Sequence, residues 1–141
     1  MTTRRSLYRG VFAALLLLGA TEAALANSAS CRAPLERWTE IDLYFGRNIA
    51  GVGEVSEQQF RNFLADTVTP RFPDGLSVVD VAGQFRTGKR IIRENAKLVV
   101  LLVPDVAAVA PNVAAIVGAY RKRFRQESVL RTEASLCLAF D

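Results

Sequence analysis

The chain has 141 residues, of which 50% are hydrophobic and 23% charged, with a net charge of +4, two cysteines and no histidine. Without an imidazole the commonest general base and the commonest zinc ligand are missing, which excludes serine–histidine and cysteine–histidine catalysis. Two cysteines alone cannot build a metal site of familiar spacing, so neither a metal nor another cofactor is expected.

The first segment, Thr3-Arg4-Arg5-Ser6-Leu7-Tyr8-Arg9, leads into an apolar block from Val11 to Ala20 and then Ala24-Leu25-Ala26. This is the layout of a cleavable export signal. The block is shorter than the roughly 20 residues a membrane span requires, so no stable span is expected after cleavage. Cleavage between Ala26 and Asn27 divides the chain into a leader, residues 1–26, and a single domain, residues 27–141. The expected localisation is periplasmic or secreted. The paired arginines resemble a twin-arginine signal, and general secretion fits the same layout. A lipid anchor at Cys31 is disfavoured, because Ser28-Ala29-Ser30 lacks the leucine that such a signal prefers.

Losing the leader removes Arg4, Arg5, Arg9 and Glu22, which takes the net charge from +4 to +2. The dense basic run Arg121-Lys122-Arg123 with Arg125 closes a predicted helix, where cations favour the dipole. No nucleic-acid partner is expected. In an exported chain, Cys31 and Cys137 are expected to form one disulfide.

Along the domain, residues 38–46 alternate as a half-buried strand, with Thr39, Ile41, Leu43 and Phe45 on one face and Trp38, Glu40, Asp42 and Tyr44 on the other. Gly46, Gly51 and Gly53 predict a flexible loop; with no third glycine and no lysine, it is a poor phosphate cradle. Ser56 and Gln59 form a capping-box pattern ahead of Phe60, Phe63, Leu64 and Val68, predicting a helix over 57–68 that Pro70 and Pro73-Asp74-Gly75 end. A second strand spans 76–86, with a turn at Thr87-Gly88-Lys89, and a third spans 91–103, continuously apolar from Leu98. Residues 106–110 fit a short helical turn or a loop. Pro111-Asn112 opens a second helix with an apolar stripe of Val113, Ile116, Val117, Tyr120 and Phe124. The last strand spans 129–140.

Strand, helix, strand, strand, helix, strand is the order of two split βαβ units. It predicts an α+β, ferredoxin-like fold, a four-stranded antiparallel sheet with two helices on one face. The end of the fourth strand then lies beside the start of the first, bringing Cys137 toward Cys31.

Leu43-Tyr44-Phe45-Gly46-Arg47, Val55-Ser56, the run from Val68 to Leu76, Gly83-Gln84-Phe85 and Arg93-Glu94 together resemble DUF3574, an exported bacterial family catalogued as a domain of unknown function. The resemblance spans about Trp38 to Phe140 and implies an exported α+β domain without an assigned activity.

On this fold the sheet face away from the helices is expected to gather Glu40, Asp42 and Tyr44 with Asp80, Gln84 and Arg86, joined by Arg131 and Glu133. Glu94 joins or leaves it according to where the third strand begins. Three uses of that face stay open. It can pair two copies in a homodimer, making the protein a non-catalytic interaction module in which Trp38 and Tyr44 are the interface aromatics. It can hold a small anionic ligand, or act as a metal-independent enzyme, with Arg47, Arg71 or Arg86 gripping the anion and Asp80 or Glu94 as base. It can also be a solvated surface of cross-strand ion pairs. The candidate binding residues are therefore Tyr44, Arg47, Asp80, Gln84, Arg86 and Glu94.

Overall fold

Alternating apolar residues place strand β1 (Glu36–Gly46) at the middle of the molecule, with Ile41, Leu43 and Phe45 fully buried. The structure, a computed structural model, describes residues 30–49 and 51–141. The expected leader and its Ala26–Asn27 cleavage site lie outside them. Where a flexible loop is expected after Gly46, the chain forms a small hairpin of β2 (Asn48–Ile49) and β3 (Gly53–Glu54). The hairpin is tied back by Arg47 N–H donating to the Asn95 carbonyl and Val55 N–H to the Arg47 carbonyl.

Helix α1 (Glu57–Phe63) begins with the expected capping box: Ser56 Oγ accepts from Gln59 N–H, and Gln59 Oε1 accepts from Ser56 N–H. The predicted helical length is filled by a wider π-type turn, Leu64–Val68, and a 3₁₀ turn, Thr69–Arg71, then closes the segment. β4 (Ser77–Thr87) and β5 (Arg90–Val103) form a hairpin around Gly88, whose φ of 60° suits a tight turn between twisted strands. Helix α2 (Val106–Phe124) starts five residues before the expected Pro111, because Asp105 caps it by accepting from Ala107 and Ala108 N–H. Pro111 therefore lies inside the helix, near its start, where it gives up a single backbone bond. β6 (Leu130–Leu138) closes the sheet, whose order is β4-β5-β1-β6 with antiparallel neighbours. This is the ferredoxin-like arrangement.

Both helices cover the same face, and the core lies between them and the two central strands. Phe45 packs edge-on to Tyr120 at 4.6 Å between centroids, and Phe63, Phe60 and Phe124 complete an aromatic cage. The helices do not reach the edges: none of the residues of β4 or β6 is fully buried. Cys31 and Cys137 are joined by a disulfide with Cα atoms 5.6 Å apart, tying the lead-in to β1 to the end of β6 as the topology predicts.

Candidate functional site: the open sheet face

Residues directly opposite in an antiparallel ladder share a face. Beneath the helices Phe45 is opposite Lys97, which is opposite Asp80. Asp80 therefore lies on the helix side of β4, and alternation puts Gln84 and Arg86 there too. On β6, Arg131 and Glu133 are opposite Leu43 and Ile41 and share that side. Of the residues expected on the open face, Glu40, Asp42 and Tyr44 lie there, whereas Asp80, Gln84, Arg86, Arg131 and Glu133 lie on the other. The phase of each edge strand is inverted relative to expectation, because the more apolar set of β4 and of β6 faces away from the core.

The open face consequently carries apolar side chains on both edge strands as well as on β5. The ladder puts Val79, Leu98, Tyr44 and Leu130 in one row, and Ser77, Val100, Asp42 and Thr132 in the next. Phe85, Val81, Leu102 and Leu136 extend the surface, and Trp38 packs edge-on to Phe140 at 5.7 Å. Val79 is 46% exposed, Phe85 51% and Leu130 60%. Glu40 and Asp42 run down the middle. Asp42 Oδ2 accepts from Thr132 Oγ at 3.3 Å, while Oδ1 is buried without a hydrogen-bond partner.

Two hollows mark the ends of this face. One, of about 770 Å³, is walled by Trp38, Phe72, Leu76, Leu102 and Phe140. The other, of about 720 Å³, contains Glu94 with Tyr44, Val81, Phe85, Ile92 and Leu130 around it. Glu94 belongs to the open face, with glycines on both neighbouring strands. Gly83 is directly opposite on β4, and on β1 a Cβ at Gly46 would come within 2.7 Å of Glu94 Oε1. The same oxygen accepts from Asn48 N–H at 3.0 Å. The structure thus brings Tyr44 and Glu94 into one hollow, and Gln84 borders it although its ladder position is on the helix side.

Of the remaining candidates, Arg47 and Asp80 enter a charge cluster on the helix side, whereas Arg86 stands exposed on that side, outside the cluster. Lys97, 5% exposed, contacts Glu57 Oε2 at 2.8 Å and Asp80 Oδ1 at 2.5 Å. Arg47 donates from Nε to the Val55 carbonyl at 2.7 Å and from Nη1 to Glu57 at 2.6 Å, and lies 3.3 Å from Glu54. Burial by itself would lower the Lys97 ammonium, but the hydrogen bonds to Asp80 and Glu57 outweigh it and hold its pKa above the ordinary value. The hydrogen bond from Lys97, aided by Arg47, holds Glu57 below the usual carboxylate value. Arg71 pins its own turn by donating to the Thr67 carbonyl at 2.7 Å. Sequence reasoning missed Lys97. The available signal was a lysine one residue ahead of the apolar run from Leu98, on a strand destined for the middle of the sheet.

Tyr120 links the core to the hollow. Its hydroxyl donates to the Gly46 carbonyl at 2.9 Å, and burial raises its pKa well above the usual phenol value. Among the described residues, no group of three or more acidic or cysteine side chains is placed to hold a metal, and no helix is long and apolar enough to cross a membrane.

Residues 40–140 match the family model described as "Protein of unknown function (DUF3574)". Among solved structures, phage SAM lyase in complex with S-methyl-5′-thioadenosine aligns with a TM-score of 0.55 at 14% identity, over 73% of this chain and 90% of that one. Phage SAM lyase in the apo state aligns with a TM-score of 0.50 at 18% identity over the same shares. No curated protein sequence matches the chain.

Proposed function

The chain belongs to the DUF3574 family, whose description assigns no activity, and we propose that it is an exported interaction module whose open sheet face is covered by a second copy. The observation that carries this reading is the inverted phase of both edge strands. Val79, Phe85 and Leu130 stand 46%, 51% and 60% exposed on edge strands that flank a central Glu40 and Asp42, where a solvated sheet would carry polar side chains.

A four-stranded face is about 19 Å across and roughly 30 Å long at ordinary strand dimensions. Side-chain relief raises that footprint of about 600 Å² toward the ~800 Å² per partner of a standard stable interface. The buried, unpartnered Asp42 Oδ1 favours a cover that brings a donor. A second copy brings the Trp38 and Tyr44 donors of the same strand, in the reciprocal fashion of an isologous contact.

The fold likeness to phage SAM lyase carries no activity to this chain at 14% and 18% identity. An anion-gripping role is not favoured: Arg47 is engaged by Glu54 and Glu57, and Arg86 stands on the opposite face from Glu94. The disulfide is compatible with export to an oxidising compartment, periplasmic or extracellular. A Cys31 thiol held in that bond is not free for lipidation.

Sedimentation velocity tests the reading. Wild type should sediment as a dimer, and Val79→Glu or Leu102→Glu should sediment as monomers with a melting temperature close to wild type, since each adds a carboxylate to an already exposed position. A monomeric wild type at high micromolar concentration, or variants that stay dimeric, would overturn it.

A further inference from the structure

We infer that the Glu94 hollow binds a small organic cation with an apolar or aromatic body, such as a quaternary ammonium compound. The space is built in. Glu94 lies in a trough because the residue opposite on β4 is Gly83 and the nearest on β1 is Gly46, so neither neighbouring strand places a side chain over it. A Cβ at Gly46 would come within 2.7 Å of Glu94 Oε1, so any larger residue there displaces the carboxylate from its present position. At about 720 Å³ the hollow has the size of small-molecule pockets in general.

The charge is unanswered. Among the described residues no lysine or arginine nitrogen lies within 4.0 Å of the Glu94 carboxylate, whose recorded partner is the Asn48 N–H. Arg93 and Lys97, the nearest cations along the chain, alternate onto the helix side of the sheet, and Arg47 points its bonds at Val55, Glu54 and Glu57. A hard metal ion wants several converging oxygen ligands, and among the described residues no group of three or more acidic or cysteine side chains converges; beside Glu94 the walls include Tyr44, Phe85, Ile92 and Leu130. A weakly hydrated organic cation suits those walls: its charge meets Glu94, and its body meets apolar and aromatic surface. An anion would meet the carboxylate head-on. Arg125, Gln126 and Glu127 border the mouth and leave its net charge unchanged.

Every lining group comes from one chain, but Tyr44, Phe85 and Leu130 also belong to the face that a second copy covers, so the saturable shift is expected in the monomeric background, where the hollow stands open. The test is an NMR titration of the ¹⁵N-labelled protein, as wild type and in the monomeric Leu102→Glu background, with benzyltrimethylammonium, benzyl alcohol and benzoate. Benzyltrimethylammonium should shift the Gly46, Gly83 and Glu94 amides saturably, and the neutral and anionic probes should bind at least tenfold more weakly. Glu94→Gln, which keeps an acceptor for Asn48 N–H, should weaken the cation at least tenfold. Gly83→Val should abolish binding at unchanged charge. A Cβ at Gly83 meets only the Glu94 carbonyl at 3.6 Å, so the sheet accommodates it. Equal affinity for benzoate or benzyl alcohol, full affinity in Glu94→Gln, or no saturable shift would each overturn the inference.

Discussion

Cutting the Cys31–Cys137 bond should lower stability more than any single surface change, because the bond closes a loop spanning 106 residues. The chain-entropy relation gives about 16 cal/mol/K for a loop of that length, or about 4.8 kcal/mol at 25 °C. The native state should lose little, since the β1–β6 ladder already holds Arg37 opposite Cys137 without the bond. The effect therefore acts on the unfolded chain, whose residual structure brings the expected loss to about 2–5 kcal/mol. For a domain of this size, each kcal/mol moves the midpoint by about 4 °C or more, so a drop of roughly 10–20 °C is expected. Thermal and urea unfolding of Cys31→Ser/Cys137→Ser and of reduced wild type should agree with each other. A loss below about 1 kcal/mol in both, with native spectra retained, would show that the unfolded chain does not gain the entropy that the loop length implies.

Tyr120→Phe should destabilise by about 1–3 kcal/mol in chemical denaturation, because it strips the Gly46 carbonyl of its 2.9 Å donor while leaving the aromatic cage in place. An unchanged midpoint would remove that bond from the account. For pH, Glu57 and Asp66 titrate below their ordinary values, so their contribution is complete above about pH 4.5 and is lost as pH falls through the lowered native values. Lys97 titrates above its ordinary value, so its contribution is complete below about pH 10.5 and fades as pH rises through the raised one. Lys97→Met should remove the Lys97 part of the alkaline share, leaving that of the buried Tyr120, and the part of the acid share that Glu57 carries, which unfolding midpoints from pH 3 to pH 11 would show; parallel wild-type and variant profiles would refute the coupling. Gly46→Val should force Glu94 out of its trough and release the Asn48 amide, seen as faster amide exchange at Asn48, with a largely intact core.

Local chemistry in the sequence is enough to place the elements of this fold. Alternation identifies β1, a Ser–x–x–Gln box starts α1, and the element order together with two cysteines behind an expected export signal implies both the sheet and its disulfide. Each of these signals depends on neighbours within a few residues or on order along the chain. Other features depend on contacts across the fold. The early start of the second helix is the exception, since its Asp105 cap is local and Pro111 costs a single backbone bond. The glycine-rich segment pairs as a hairpin because β5 offers the Asn95 carbonyl. The candidate site depended most on such contacts. Alternation in β4 and β6 divides their residues into two sets but carries no sign, and only the ladder to β5 and β1 decides which set lies beneath the helices. That pairing sends Asp80 and Arg86 to the helix side, collects Val79, Phe85 and Leu130 on the open face, and sets Glu94 between two glycines far from it in sequence. Strand periodicity is a property of the backbone, whereas the choice of face belongs to the partner strand, because the hydrogen-bond register between strands determines which side chains share a surface.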